Sequence, residues 1–141
     1  MSHQILFLCV ANSARSQIAE GLARSLVRKG VNVMSAGSNP SSLHPLAAVV
    51  LAEKGIATTE HYSKGLGDVS IEAVDTVITL CEEEVCPALP EGARHLHWPM
   101  SDPAVEQANP EAAEDAFREV RDEIYGRLRD WLEDNGLSAI A

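Results

Sequence analysis

The sequence predicts an α/β fold: a single domain over residues 1–141, built as a three-layer sandwich in which a four-stranded parallel sheet carries helices on both faces. Three observations predict it. Short apolar runs of strand length alternate with stretches of helical periodicity along the chain, the pattern of a parallel sheet with helical crossovers. No Pro/Gly-rich linker or internal repeat interrupts that alternation. The 141 residues, 45% apolar and 23% charged, have the size and make-up of one compact unit.

The first strand is Ile5-Leu6-Phe7-Leu8, continuously apolar as a strand buried on both faces must be. A helix follows, with Ile18, Leu22 and Leu26 four apart and Gly30 where its C-terminus would place a left-handed residue. Val31 to Met34 reads as the second strand, closed by Ser35-Ala36-Gly37. Pro45 suits a first helical position, and Leu46, Val49 and Val50 form a stripe ending before Gly55, so the second helix covers about residues 45–54. Ala57 to Gly67 is polar and reads as loop, and Ile71 to Val74 as a short helical piece. The β-branched run Thr76-Val77-Ile78-Thr79-Leu80 is the third strand and Ala93 to Trp98 the fourth. The last helix is capped by Asn109, carries Pro110 in its first turn, buries Phe117, Val120, Ile124, Leu128 and Trp131, and ends at Asn135-Gly136.

Composition narrows function before any motif does. A net charge of −10 makes the surface repel nucleic acid and anionic membrane. No stretch approaches the roughly 20 apolar residues of a membrane span, and the N-terminus lacks a secretory pattern. A soluble, cytoplasmic monomer is the expectation. Three cysteines, an odd number without secretory context, argue against a disulfide scaffold and leave catalysis, redox exchange or plain burial.

In parallel-sheet folds ligands bind beyond the carboxyl ends of the strands. Directly after the first strand stands Cys9-Val10-Ala11-Asn12-Ser13-Ala14-Arg15-Ser16. Five residues between Cys9 and Arg15 suffice for a loop whose amides turn inward around a tetrahedral oxyanion, aided by the N-terminus of the following helix. Arg15 can clamp two anion oxygens, and the same field favours thiolate over thiol at Cys9. After the fourth strand comes Ser101-Asp102-Pro103, where an aspartate braced by proline is placed to protonate a departing oxygen. The third strand runs into Cys81-Glu82-Glu83-Glu84-Val85-Cys86, and three consecutive glutamates must be solvated. Residues five apart on a helix have Cα atoms about 8–9 Å apart, beyond the roughly 7 Å a disulfide tolerates. A Cys81–Cys86 bond therefore needs a non-helical segment.

The Cys9–Ser16 loop, followed by Gln17-Ile18-Ala19-Glu20-Gly21, resembles the active-site loop of the low-molecular-weight protein tyrosine phosphatase superfamily. With Cys81, Cys86 and Asp102-Pro103 the chain is similar to the thioredoxin-coupled arsenate reductases of that superfamily. The resemblance implies arsenate as substrate, bound by Val10, Ala11, Asn12, Ser13, Ala14, Arg15 and Ser16. It implies Cys9 as nucleophile, Arg15 as anion clamp, Asp102 as general acid, and Cys81 and Cys86 as a disulfide relay reduced by thioredoxin, with no cofactor and no metal. Recycling by glutaredoxin or glutathione, a phosphatase that uses the extra cysteines for protection, and an anion sensor without turnover stay open. The chain departs from the typical pattern in the four residues between Cys81 and Cys86 and in Ala14, where a further cysteine is common. Some relatives hold a monovalent cation with residues matching Asn12, Glu20 and Ser35. Here the remaining ligand position is Lys64, whose ammonium is expected to stand in for the ion.

Overall fold

The computed structural model describes residues 3–9, 12–37, 41–58, 61, 63–68, 71–81, 93–104 and 108–139. Four strands, β1 (His3–Cys9), β2 (Val31–Gly37), β3 (Thr76–Thr79) and β4 (Arg94–His97), pair in the order β2-β1-β3-β4, all parallel. Among the described residues, α1 (Arg15–Leu26) and α2 (Pro45–Ala52) lie between strands and α3 (Pro110–Asp134) follows β4. The chain steps from β1 outward to β2, then returns across β1 to β3. The strand order thus reverses between β1 and β3, and sheets of this kind take ligands beyond the carboxyl ends of the strands at such a reversal.

The strands alternate their side chains between two apolar layers, as period two requires. Ile5 and Phe7 of β1 join Ile78 and Leu80 in one cluster, with Ile18 and Leu22 of α1, Val50 and Leu51 of α2, and Phe117, Ile124, Leu128 and Leu132 of α3. Leu6 and Leu8 point the other way, onto Ala36, Val77 and Val74, the residue after a 3-10 turn at Ile71–Ala73. Gly21 lets α1 approach α2, because a Cβ there would lie 2.9 Å from Leu51 Cδ1.

Two sequence expectations shift in detail. Gly30 is left-handed, with φ 88°, but it turns the chain into β2 rather than capping α1. The helix ends earlier, at Val27, which bridges to Ser138, while Arg28 N–H donates to the Leu137 carbonyl. On α3 the innermost late position is Leu132, fully buried, whereas Trp131 is half-buried and meets Trp98 edge-on at 6.1 Å. No helix among the described residues is long and apolar enough to cross a membrane.

Candidate active site at the carboxyl ends of β1 and β3

Cys9 closes β1 and is a buried free thiol. Asn12 follows in the left-handed region, φ 47°, which asparagine tolerates because its short amide can bond locally. Its fully buried side chain makes that conformation hold: Oδ1 accepts Lys64 N–H at 2.7 Å and Gln17 Nε2 at 3.1 Å, and Nδ2 donates to Ser16 Oγ at 2.8 Å. The Ser16 hydroxyl, which accepts from Asn12, also shares a hydrogen bond with Cys9 Sγ at 2.9 Å. Ala14 is the N-cap of α1 and gives no side-chain hydrogen bond to the first turn. A cap without an acceptor leaves the helix's first amides to another partner.

Arg15 draws the strand ends together. Its side chain is 5% exposed, and Nη1 donates to the Leu80 carbonyl at 3.4 Å and the Met100 carbonyl at 3.2 Å, while Nη2 lies 3.9 Å from Asp102 Oδ2. One guanidinium thus reaches from the Cys9 loop to the end of β3 and to the loop after β4. Asp102 is 38% exposed and folds its other oxygen onto Ala104 N–H at 2.9 Å, which fixes the carboxylate's direction. Cys81 follows Leu80, is buried, and is disulfide-bonded, its partner lying outside the described residues. Three of the predicted loop and relay residues, Val10, Ala11 and Cys86, also lie outside the described residues.

Behind the loop is a charged cluster that the sequence only partly announced. Glu20, 1% exposed, accepts from Ser35 Oγ at 2.9 Å and lies 3.4 Å from Lys64 Nζ, 3.5 Å from His61 Nδ1 and 3.8 Å from Arg24. A buried carboxylate needs such partners. The Lys64 ammonium faces Glu20 Oε1, the oxygen that also accepts from Ser35, while the Lys64 backbone N–H donates to Asn12. Burial holds His61 below its ordinary value of 6.5, against the pull of Glu20 upward. Neither His61 nor Gln17 was legible as part of the site: a lone histidine in a polar loop and a glutamine in a helix carry no signature. His95 Nε2 and His97 Nδ1 share one partner, the buried Thr79 Oγ1, at 3.2 and 2.7 Å. Among the described residues no cluster of three or more His, Cys, Asp or Glu could hold a metal.

Comparison with known proteins points the same way as the geometry. The family model described as low molecular weight phosphotyrosine protein phosphatase matches residues 4–138. An arsenate reductase of Halalkalibacterium halodurans is 37% identical over 131 residues, spanning 92% of this chain and 94% of its own. The arsenate reductase of Bacillus subtilis gives the same identity and coverage. Among solved structures, a thioredoxin-dependent arsenate reductase of Corynebacterium glutamicum superposes with a TM-score of 0.74 at 36% identity, over 94% of this chain and 61% of that one. An arsenate reductase from Archaeoglobus fulgidus superposes with a TM-score of 0.78 at 26% identity, over 92% of this chain and 98% of that one.

Proposed function

The chain belongs to the low molecular weight phosphotyrosine protein phosphatase family and is an arsenate reductase within it, and from that premise we propose a three-thiol relay reduced by thioredoxin. The observation that carries the proposal is the reach of Arg15 to Leu80, Met100 and Asp102. The anion clamp, the strand end bearing the second thiol and the acid share one guanidinium.

Arsenate is held by the loop amides and Arg15. The Cys9 thiolate attacks arsenic, forming an S–As bond as one As–O bond breaks, and Asp102 protonates the oxygen so that it leaves as water. Phosphate ester chemistry shares these events. Cys81 then attacks Cys9 Sγ: an S–S bond forms, the S–As bond breaks, and its electron pair reduces arsenic from the pentavalent to the trivalent state, released as arsenite. Cys86 attacks Cys81, freeing Cys9 as thiolate and leaving a Cys81–Cys86 disulfide, which a thioredoxin dithiol reduces by exchange. A free Cys9 beside a disulfide-bonded Cys81 is the state this last exchange starts from. A cytoplasmic, monomeric enzyme meeting thioredoxin there completes the reading.

Incubation with arsenate, thioredoxin, thioredoxin reductase and NADPH tests it. NADPH should be consumed in proportion to arsenite formed, and Cys86→Ser should abolish this while leaving a single turnover per enzyme. Consumption only with glutaredoxin and glutathione, or an active Cys86→Ser enzyme, overturns the relay. Arg15→Ala should damage both arsenate affinity and turnover. Asp102→Asn should lower turnover with arsenate binding largely kept.

A further inference from the structure

Two carbonyls of the Cys9–Ser16 loop are held from outside it. Asn12 O accepts Gln17 Nε2 at 3.2 Å, and Ser13 O accepts the His44 backbone N–H at 3.0 Å. In a trans peptide the carbonyl and the next N–H point to opposite sides, and no described peptide bond is cis. Holding Asn12 O outward turns the Ser13 N–H inward, and holding Ser13 O outward does the same for Ala14. The His44 clamp is made by backbone and survives a change of side chain. The Gln17 clamp exists only because residue 17 carries an amide.

Gln17 is fully buried and also donates to Asn12 Oδ1, so one side-chain NH2 grips both oxygens of the left-handed residue. Turned over, the same carboxamide would set its oxygen against two acceptors. His61 prevents this. Its Nδ1 lies 3.1 Å from Gln17 Oε1 and 3.5 Å from Glu20 Oε2, and facing two acceptors it must carry a proton. With a proton on His61 Nδ1, the hydrogen bonds run from His61 to Gln17, from Gln17 to Asn12 and from Asn12 to Ser16, whose hydroxyl meets Cys9 Sγ.

We propose that Gln17 is a positioning residue of the anion cradle: its carboxamide, oriented by His61, sets the peptide between Asn12 and Ser13 so that the Ser13 N–H faces a bound tetrahedral oxyanion. Gln17 touches no substrate and acts through the loop backbone. The inference rests on the reading of Cys9–Ser16 as an oxyanion cradle.

The test uses inorganic phosphate on the reduced full-length protein, read as protection of Cys9 from iodoacetamide by mass spectrometry. Iodoacetamide is neutral and needs no cradle, so its rate without phosphate reports the thiol alone. Gln17→Met keeps the volume and removes the donor. It should weaken phosphate protection about tenfold, the scale of one charge-assisted hydrogen bond, and change alkylation in the absence of phosphate by a clearly smaller factor, since Gln17 reaches Cys9 only through Asn12 and Ser16. His61→Leu releases the carboxamide and should weaken protection in the same direction by about threefold. Unchanged protection in the variants, or an alkylation rate that falls as far as the phosphate affinity, overturns the role of Gln17. If Gln17→Met fails to fold, His61→Leu decides alone by the same criteria. Phosphate that fails to protect the wild-type protein overturns the cradle, and this inference with it.

Discussion

At the scale of single residues, the proposed site is a set of donors gathered around Cys9 that would face a bound anion. The Ser16 hydroxyl meets Cys9 Sγ. Ser16→Ala removes a hydrogen bond to a charged acceptor worth about 1.5–3 kcal/mol, and should lower kcat/KM for arsenate by about one to two orders of magnitude. An unchanged value would show that the hydroxyl serves packing only. His61 carries a pH signature. Because burial holds its folded value below 6.5, the unfolded chain binds a proton there that the folded chain refuses. Its contribution is therefore undiminished above about pH 6.5, and stability falls as pH drops below that value. Urea unfolding at a series of pH values should show this decline, and His61→Gln should flatten it; a decline that persists unchanged assigns it to other groups. Cys9, Arg15 and Asp102 were readable from sequence because their spacing implies chemistry that few other arrangements provide. Gln17 and His61 converge on Asn12 and Glu20 from positions up to 44 apart, and no local pattern encodes a meeting of that kind; Lys64 was expected there only through the family resemblance.

At the scale of elements, the sequence located each strand and helix through periodicity and punctuation. The boundary it misplaced was set by a distant partner. Gly30 suits a helix end, yet α1 stops at Val27 because the chain segment around Ser138 pairs with it there. The end of α2 is likewise finished by another helix. Arg121 of α3, 7% exposed at its side chain, donates Nη1 to the Val50 carbonyl at 3.1 Å and to Glu53 Oε1 at 2.7 Å. Arg118 adds a bidentate grip on Glu53. Basic residues at a helix C-terminus satisfy carbonyls that the helix cannot. Arg121→Ala leaves the Val50 carbonyl without that donor and strips packing from the guanidinium stem. The expected loss is about 1–3 kcal/mol of unfolding free energy, measured by urea titration. Since His44 begins α2 and holds the Ser13 carbonyl, phosphate affinity should weaken less than twofold if α2 stays docked. A large loss of phosphate binding without loss of stability would contradict the clamp's structural role.

At the scale of the whole molecule, charge and site oppose each other. The chain carries −10 and its substrate is a dianion, so long-range forces resist their meeting. In the proposed cradle the attraction is short-ranged: a buried guanidinium and a helix N-terminus act over a few ångströms in a region that salt penetrates poorly. Repulsion from the acidic surface reaches about 30 Å at 0.01 M salt and about 8 Å at 0.15 M. Raising sodium chloride across that range removes most of the repulsion and little of the attraction. The kcat/KM for arsenate should therefore rise severalfold with salt, whereas alkylation of Cys9 by neutral iodoacetamide should stay flat. Reactions steered by a positive surface slow as salt rises. A decline of kcat/KM over this range would mean that the field of the cradle extends well beyond its rim, and that the acidic surface has no hold on how the anion arrives.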